Sequence, residues 1–79
     1  MNFRLLYFAA LADVAGRTEE TVASDARDVR ALYATLAARH RFTFTAERLR
    51  VAVNGEFVGW DRMLAEGDEV VFIPPVSGG

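Results

Sequence analysis

The residues with the clearest chemical potential are the last two, Gly78 and Gly79, reached through Pro74-Pro75-Val76-Ser77. At an average glycine usage of about 7%, two glycines close a sequence by chance in roughly one chain in 200. A frayed end is the plain alternative, but a frayed end has no need of an apolar strand and two prolines aimed at it. Lacking Cβ atoms, the two glycines let backbone pass through a narrow channel and leave the terminal carboxylate sterically open. That makes the carboxylate of Gly79 a candidate reactive group. With an ordinary pKa of about 3.5 it is an anion at neutral pH, and a poor electrophile until something supplies a leaving group.

Little else in the chain competes for a chemical role. Cysteine is absent from the 79 residues, which removes disulfides, thiolate metal sites and any cysteine nucleophile. The single histidine, His40, falls in the last turn of an expected helix, where positive charge suits the macrodipole. No second histidine or carboxylate cluster accompanies it, so a cap or surface role is expected rather than a metal ligand. No metal or cofactor motif is present.

Eleven acids against nine arginines give a net charge of −2 with no long block of one sign, which argues against a nucleic-acid binder. All nine basic residues are Arg, so the chain cannot be extended through its own lysines as a polymerising modifier would be. The apolar run over residues 5–12 lacks the flanks of a signal peptide and is far too short to span a bilayer. A soluble cytoplasmic protein is expected, with no membrane partner. At this length one sheet with one or two helices over it is about the limit without covalent staples.

The elements that must position the tail follow from periodicity. Residues 2–8 alternate as a first strand, with Phe3, Leu5 and Tyr7 on one face and Arg4, Leu6 and Phe8 on the other. Residues 9–14 predict one or two helical turns stopped at Ala15-Gly16, and residues 18–23 an antiparallel second strand. The main helix is predicted over Val29–His40, with Asp28 as N-cap, Val29, Leu32, Leu36 and Ala37 inward and Tyr33 at the margin. Phe42 and Phe44 should plug that helix onto the sheet. Leu49, Val51 and Val53 predict a third strand facing the core. Asn54-Gly55 is a strong hairpin signal that sets Val53 opposite Glu56, Val58 inward and Phe57 outward. Residues 60–66 connect, with Met63 and Leu64 expected inside, to a last strand over Glu69–Ile73. Pro74 ends that strand because it cannot donate a ladder hydrogen bond, and Pro74-Pro75 should carry the chain out as a short rigid rod.

These elements predict an α+β fold, a β-grasp or ubiquitin-like roll. Its mixed sheet of about five strands carries the main helix on one face, over residues 1–74, and a flexible C-terminal tail protrudes over residues 75–79. A helix covers only one face of such a sheet. The opposite face should be polar, yet alternation assigns it Leu6, Phe8, Phe57, Val71 and Ile73. Either one strand is out of phase, or these are scattered surface groups, or they form one apolar patch beside the tail. A partner surface is the favoured reading.

With those residues in view, the sequence resembles the MoaD-type sulfur carriers, the small subunits of molybdopterin synthase. The resemblance is carried by Leu5-Leu6-Tyr7-Phe8-Ala9 with Ala15-Gly16, Asp28-Val29 and Val51-Ala52-Val53-Asn54. Above all it is carried by Gly67-Asp68-Glu69-Val70-Val71-Phe72-Ile73-Pro74-Pro75-Val76-Ser77-Gly78-Gly79. The resemblance implies a carrier that is non-catalytic alone, the sulfur-donating part of a sulfurtransferase. It implies that an E1-like adenylyltransferase uses ATP to adenylate Gly79, that the adenylate becomes a thiocarboxylate, and that sulfur passes to cyclic pyranopterin monophosphate in the large subunit. The expected assembly is a heterotetramer of two small and two large subunits. Gly79 would react, Gly78 would lie in the tunnel, and residues 74–77 would thread it. Phe8, Phe57 and Ile73 match the family's docking surface. The carrier itself is expected to bind no cofactor. Ser77 stands where threonine is common. A thiocarboxylate carrier for another pathway, such as the thiazole of thiamine, and a ubiquitin-like protein modifier remain as alternatives.

Overall fold

The computed structural model describes residues 1–75. Asn2–Tyr7 forms strand β1, Glu19–Ala23 β2, Arg50–Val53 β3, Glu56–Val58 β4 and Glu69–Ile73 β5. Ala9–Ala15 forms helix α1, Val29–His40 helix α2, and Ala46–Arg48 a single 3-10 turn. Among the described residues the strands make one sheet in the order β2-β1-β5-β3-β4. β1 and β5 run parallel at its centre, and the other neighbours pair antiparallel. This is the expected α+β β-grasp roll.

Local chemistry explains where the elements stop. Asp28 caps α2 by accepting the Ala31 N–H at 2.8 Å, satisfying one of the donors a helix start leaves orphaned. Gly16 ends α1 in the left-handed region at φ 75°, its N–H donating to the Ala12 carbonyl. β1 ends one residue before Phe8, which becomes the N-cap of α1 while keeping extended backbone at φ −120°, ψ 151°. Ala9 then turns the chain at φ 49°.

The core lies between the sheet and α2. Phe3, Leu5, Val22, Val51, Val70 and Phe72 from the sheet meet Val29, Leu32 and Leu36 of α2, each no more than 1% exposed. Burying each such side chain is worth about 1.5–3 kcal/mol. Tyr33 is not marginal but buried. Its ring lies 5.2 Å from Phe72, 5.5 Å from Trp60 and 6.1 Å from Phe42, and its hydroxyl donates to the Phe44 carbonyl at 2.6 Å. Ala37 is only half-buried. Phe42 is buried and Phe44 packs on the core margin, as expected.

Two further expectations need correction. Met63 is 62% exposed. The segment is extended there, with Met63 bridged to Asp28 and the Leu64 N–H donated to the Arg27 carbonyl, and in extended backbone neighbours face opposite ways. Leu64 takes the inward position and Met63 the outward one. His40 is neither cap nor surface residue. Its Nε2 lies 2.6 Å from Glu20 Oε2, with the two side chains 13% and 8% exposed.

Candidate functional site: an apolar sheet face at the chain's exit

The sheet face away from α2 is built by register. Leu6 of β1 sits beside Val71 of β5, Val71 beside Ala52 of β3, and Ala52 beside Phe57 of β4. One apolar row therefore crosses four strands, about 14 Å at the usual strand spacing. Phe8 extends the β1 side and is 52% exposed, and Phe57 ends the row at 67% exposed. Leu6, Val71 and Ile73 are half-buried. Ala52 is nearly covered although it belongs to this face, and it forms the floor between Val71 and Phe57. Register thus places Leu6, Val71 and Phe57 on the face and alternation along β5 adds Ile73, while Phe8 follows β1 in extended backbone just beyond its last paired residue.

The rim is charged. Arg4 reaches Glu19 at 2.8 Å and Glu69 at 3.7 Å. Arg50, beside Ile73 in register, places its guanidinium carbon 6.0 Å from the Phe57 ring centroid. Ile73 leads to Pro74, which is buried, and Pro75, which is exposed. Val76, Ser77, Gly78 and Gly79, assigned to the tail by sequence, lie outside the described residues.

What fixes this face outward is a lock at the start of β5. Asn54 and Gly55 adopt φ 51° and 86°, the paired positive values of a type I′ hairpin turn. Asn54 Nδ2 donates to Asp68 Oδ1 at 2.9 Å, and its Oδ1 accepts the Glu69 N–H at 3.0 Å. Asp68 Oδ2 accepts the Ala65 N–H at 2.8 Å. Slipping β5 by one residue would exchange Val70 and Phe72 for Val71 and Ile73, so the lock sets which side chains the face presents. Sequence reasoning found the Asn54-Gly55 turn but not its bonds to Asp68 and Glu69, and missed Arg50 and Ala52 as parts of the face. Alternation already set Arg50 and Ala52 off the core side, whereas nothing local in the sequence couples residue 54 to residue 68.

The sheet's other side holds the one buried ionisable cluster among the described residues. Glu20 Oε2 accepts from Tyr7 Oη at 2.6 Å and meets His40 Nε2, while Arg17 stands 3.6 Å from Oε1. Burial works to raise the Glu20 pKa, yet the hydrogen bonds from Tyr7 and His40 and the nearby positive charge outweigh it and hold the carboxyl below its ordinary value. Burial and the adjacent carboxylate push the Tyr7 phenol far up. No group of three residues able to hold a metal converges among the described residues. No described helix is long and apolar enough to cross a membrane.

Comparison with known proteins covers the whole chain. Residues 5–79 match the ThiS family. The molybdopterin synthase sulfur carrier subunit of Escherichia coli (strain K12) is 39% identical over 79 residues, spanning 96% of this chain and 98% of that protein. The crystal structure of SAMP1 from Haloferax volcanii matches with a TM-score of 0.83 at 30% identity over all of both chains. The putative molybdopterin converting factor, subunit 1, from Pyrococcus furiosus matches at 0.78 with 31% identity, covering 96% of this chain and 99% of that one. The chain belongs to the ThiS family, with the molybdopterin synthase sulfur carrier subunits among its relatives there.

Proposed function

We propose that this chain is the sulfur carrier of molybdopterin synthesis and that Gly79 is its working residue. The observation that carries the reading is the unbroken apolar row from Leu6 to Phe57, lying beside the strand that delivers the Pro74-Pro75 exit. Similarity to the sulfur carrier subunit of E. coli along nearly the whole length supports it. An E1-like adenylyltransferase joins the Gly79 carboxylate to AMP from ATP, releasing pyrophosphate. A sulfur donor then displaces AMP and leaves a thiocarboxylate. The large subunit of the synthase docks on Leu6, Phe8, Phe57, Val71 and Ile73, and residues 74–78 thread into its active site. There the sulfur passes to cyclic pyranopterin monophosphate and the carboxylate is regenerated, two carriers completing one dithiolene. In this reading the carrier holds no cofactor, ATP is consumed by the activating enzyme, and the assembly is a cytoplasmic heterotetramer.

Docking and transfer reside in different parts of the chain, so they separate by mutation. Deleting Gly79 should abolish molybdopterin formation in a reconstituted synthase while the truncated chain still binds the large subunit. Undiminished product from the truncated chain would refute the role of Gly79. A second reading, protein modification through Gly79, is favoured by the likeness to SAMP1, small archaeal modifier protein 1. It predicts isopeptide conjugates on target lysines in the native cells, which carrier chemistry alone does not produce. A carrier serving thiamine thiazole synthesis would instead be sulfurated normally and fail to support molybdopterin formation.

A further inference from the structure

The cations of the open sheet face are not equivalent. At one end Arg4 is neutralised by Glu19 and Glu69. At the other end, where the chain leaves the sheet, Arg48 closes the 3-10 turn and Arg50 opens β3. Both are exposed, and among the described residues neither makes an ion pair. They line a groove of about 310 Å³ whose other wall is Ile73, Pro74 and Pro75. Glu47 is the one acidic residue lining it and pairs with neither arginine. A smaller groove of about 170 Å³ on the other side of Arg50 reaches Phe57 and Trp60. The Arg50 guanidinium carbon lies over the Phe57 ring, 6.0 Å from its centroid, which sets the charge at the border of the apolar row.

Resting on the docking role proposed above, we infer that Arg48 and Arg50 receive aspartate or glutamate carboxylates of the large subunit, from an acidic segment bordering the opening into which residues 74–79 pass. Three observations carry this. The groove is continuous with the apolar face through Ile73 and with the exit through Pro74 and Pro75. Two arginines against one glutamate leave it net positive, in a chain whose net charge is −2. A planar guanidinium beside an apolar patch also suits bidentate carboxylate recognition. Rim charges of this kind act mainly on association rate and orientation, and the apolar row supplies the contact that persists. The pair therefore sets the direction in which the chain's end meets the partner.

The test measures binding of the intact carrier to the purified large subunit at low and high salt, for the unaltered chain, R48E/R50E and Phe57→Asp. At low salt R48E/R50E should associate about tenfold more slowly or worse, lose most of its salt dependence, and approach the unaltered chain at high salt. Phe57→Asp should bind poorly at every salt concentration. Equal association of R48E/R50E and the unaltered chain, with Phe57→Asp defective, overturns the inference and leaves the docking role standing. Normal large-subunit binding by R48E/R50E with slowed adenylation would assign the pair to the activating enzyme and equally overturn it. Absence of binding by the unaltered chain overturns both. Both arginines are exposed, so unchanged thermal unfolding of R48E/R50E confirms that the comparison is between folded proteins.

Discussion

Glu20 carries more of the helix-side chemistry than any other single side chain, because one carboxylate oxygen serves Tyr7 and His40 at once. Its folded pKa is lowered from the ordinary 4.5. The stabilisation is therefore complete above that value and is lost as pH falls through the folded pKa. Glu20→Gln should cost about 1–3 kcal/mol at neutral pH, as expected for hydrogen bonds to a charged group. It should also flatten the loss of stability on acidification below about pH 4.5. Urea unfolding at a series of pH values checks both, and a variant as acid-sensitive as the parent would contradict the account. Phe57 is the contrasting case. At 67% exposure, Phe57→Asp should change unfolding free energy by no more than about 0.5 kcal/mol, yet weaken large-subunit binding at least tenfold, because a charge in a dried contact is costly. Alternation makes Phe57 legible from sequence. The Glu20–His40 pair is not legible, since residues 20 positions apart meet only once β2 and the end of α2 are packed together.

The elements most completely readable were those with a strict period or a turn signal of their own. β1 and β5 take their phase from the single charges Arg4 and Glu69, and Asn54-Gly55 fixes the β3–β4 register by its backbone preference alone. The segments that resisted were those held by single long-range bonds. The 3-10 turn at Ala46–Arg48 has no periodic signature in three residues, and Met63 faces out because its backbone bridges Asp28. The lock between Asn54 and Asp68 belongs to this second group and is the fold's most informative element to break. Asp68→Ala removes the carboxylate that holds Asn54 Nδ2 and the Ala65 N–H, two donors on exposed residues, and should cost about 1–3 kcal/mol, as for hydrogen bonds to a charged group. It should also raise hydrogen exchange at the start of β5 more than in α2. Uniform destabilisation with no local loss of protection would show that Asp68 does not set the register.

At the scale of the whole molecule, the two sides of one sheet have separate duties. The helix side spends its aromatic and aliphatic residues on stability, and the open side spends a smaller set, Leu6, Phe8, Phe57, Val71 and Ile73, on a surface that the fold itself leaves uncovered. β5 joins the two, with Val70 and Phe72 inward, Val71 and Ile73 outward, and Pro74 at its end. This division explains how the proposed function could be read from residues other than a catalytic constellation. The informative residues are apolar groups in positions where a solitary domain would place polar ones, followed by a proline-stiffened exit.

The central claim is that sulfur is carried on Gly79, and intact mass spectrometry tests it most directly. The chain is incubated with ATP, the activating enzyme and a sulfur donor, then fragmented to locate any change. Exchange of one oxygen for sulfur, confined to Gly79 and absent when ATP is withheld, is the predicted result. A chain that remains wholly carboxylate under those conditions, or one sulfurated elsewhere, would contradict it.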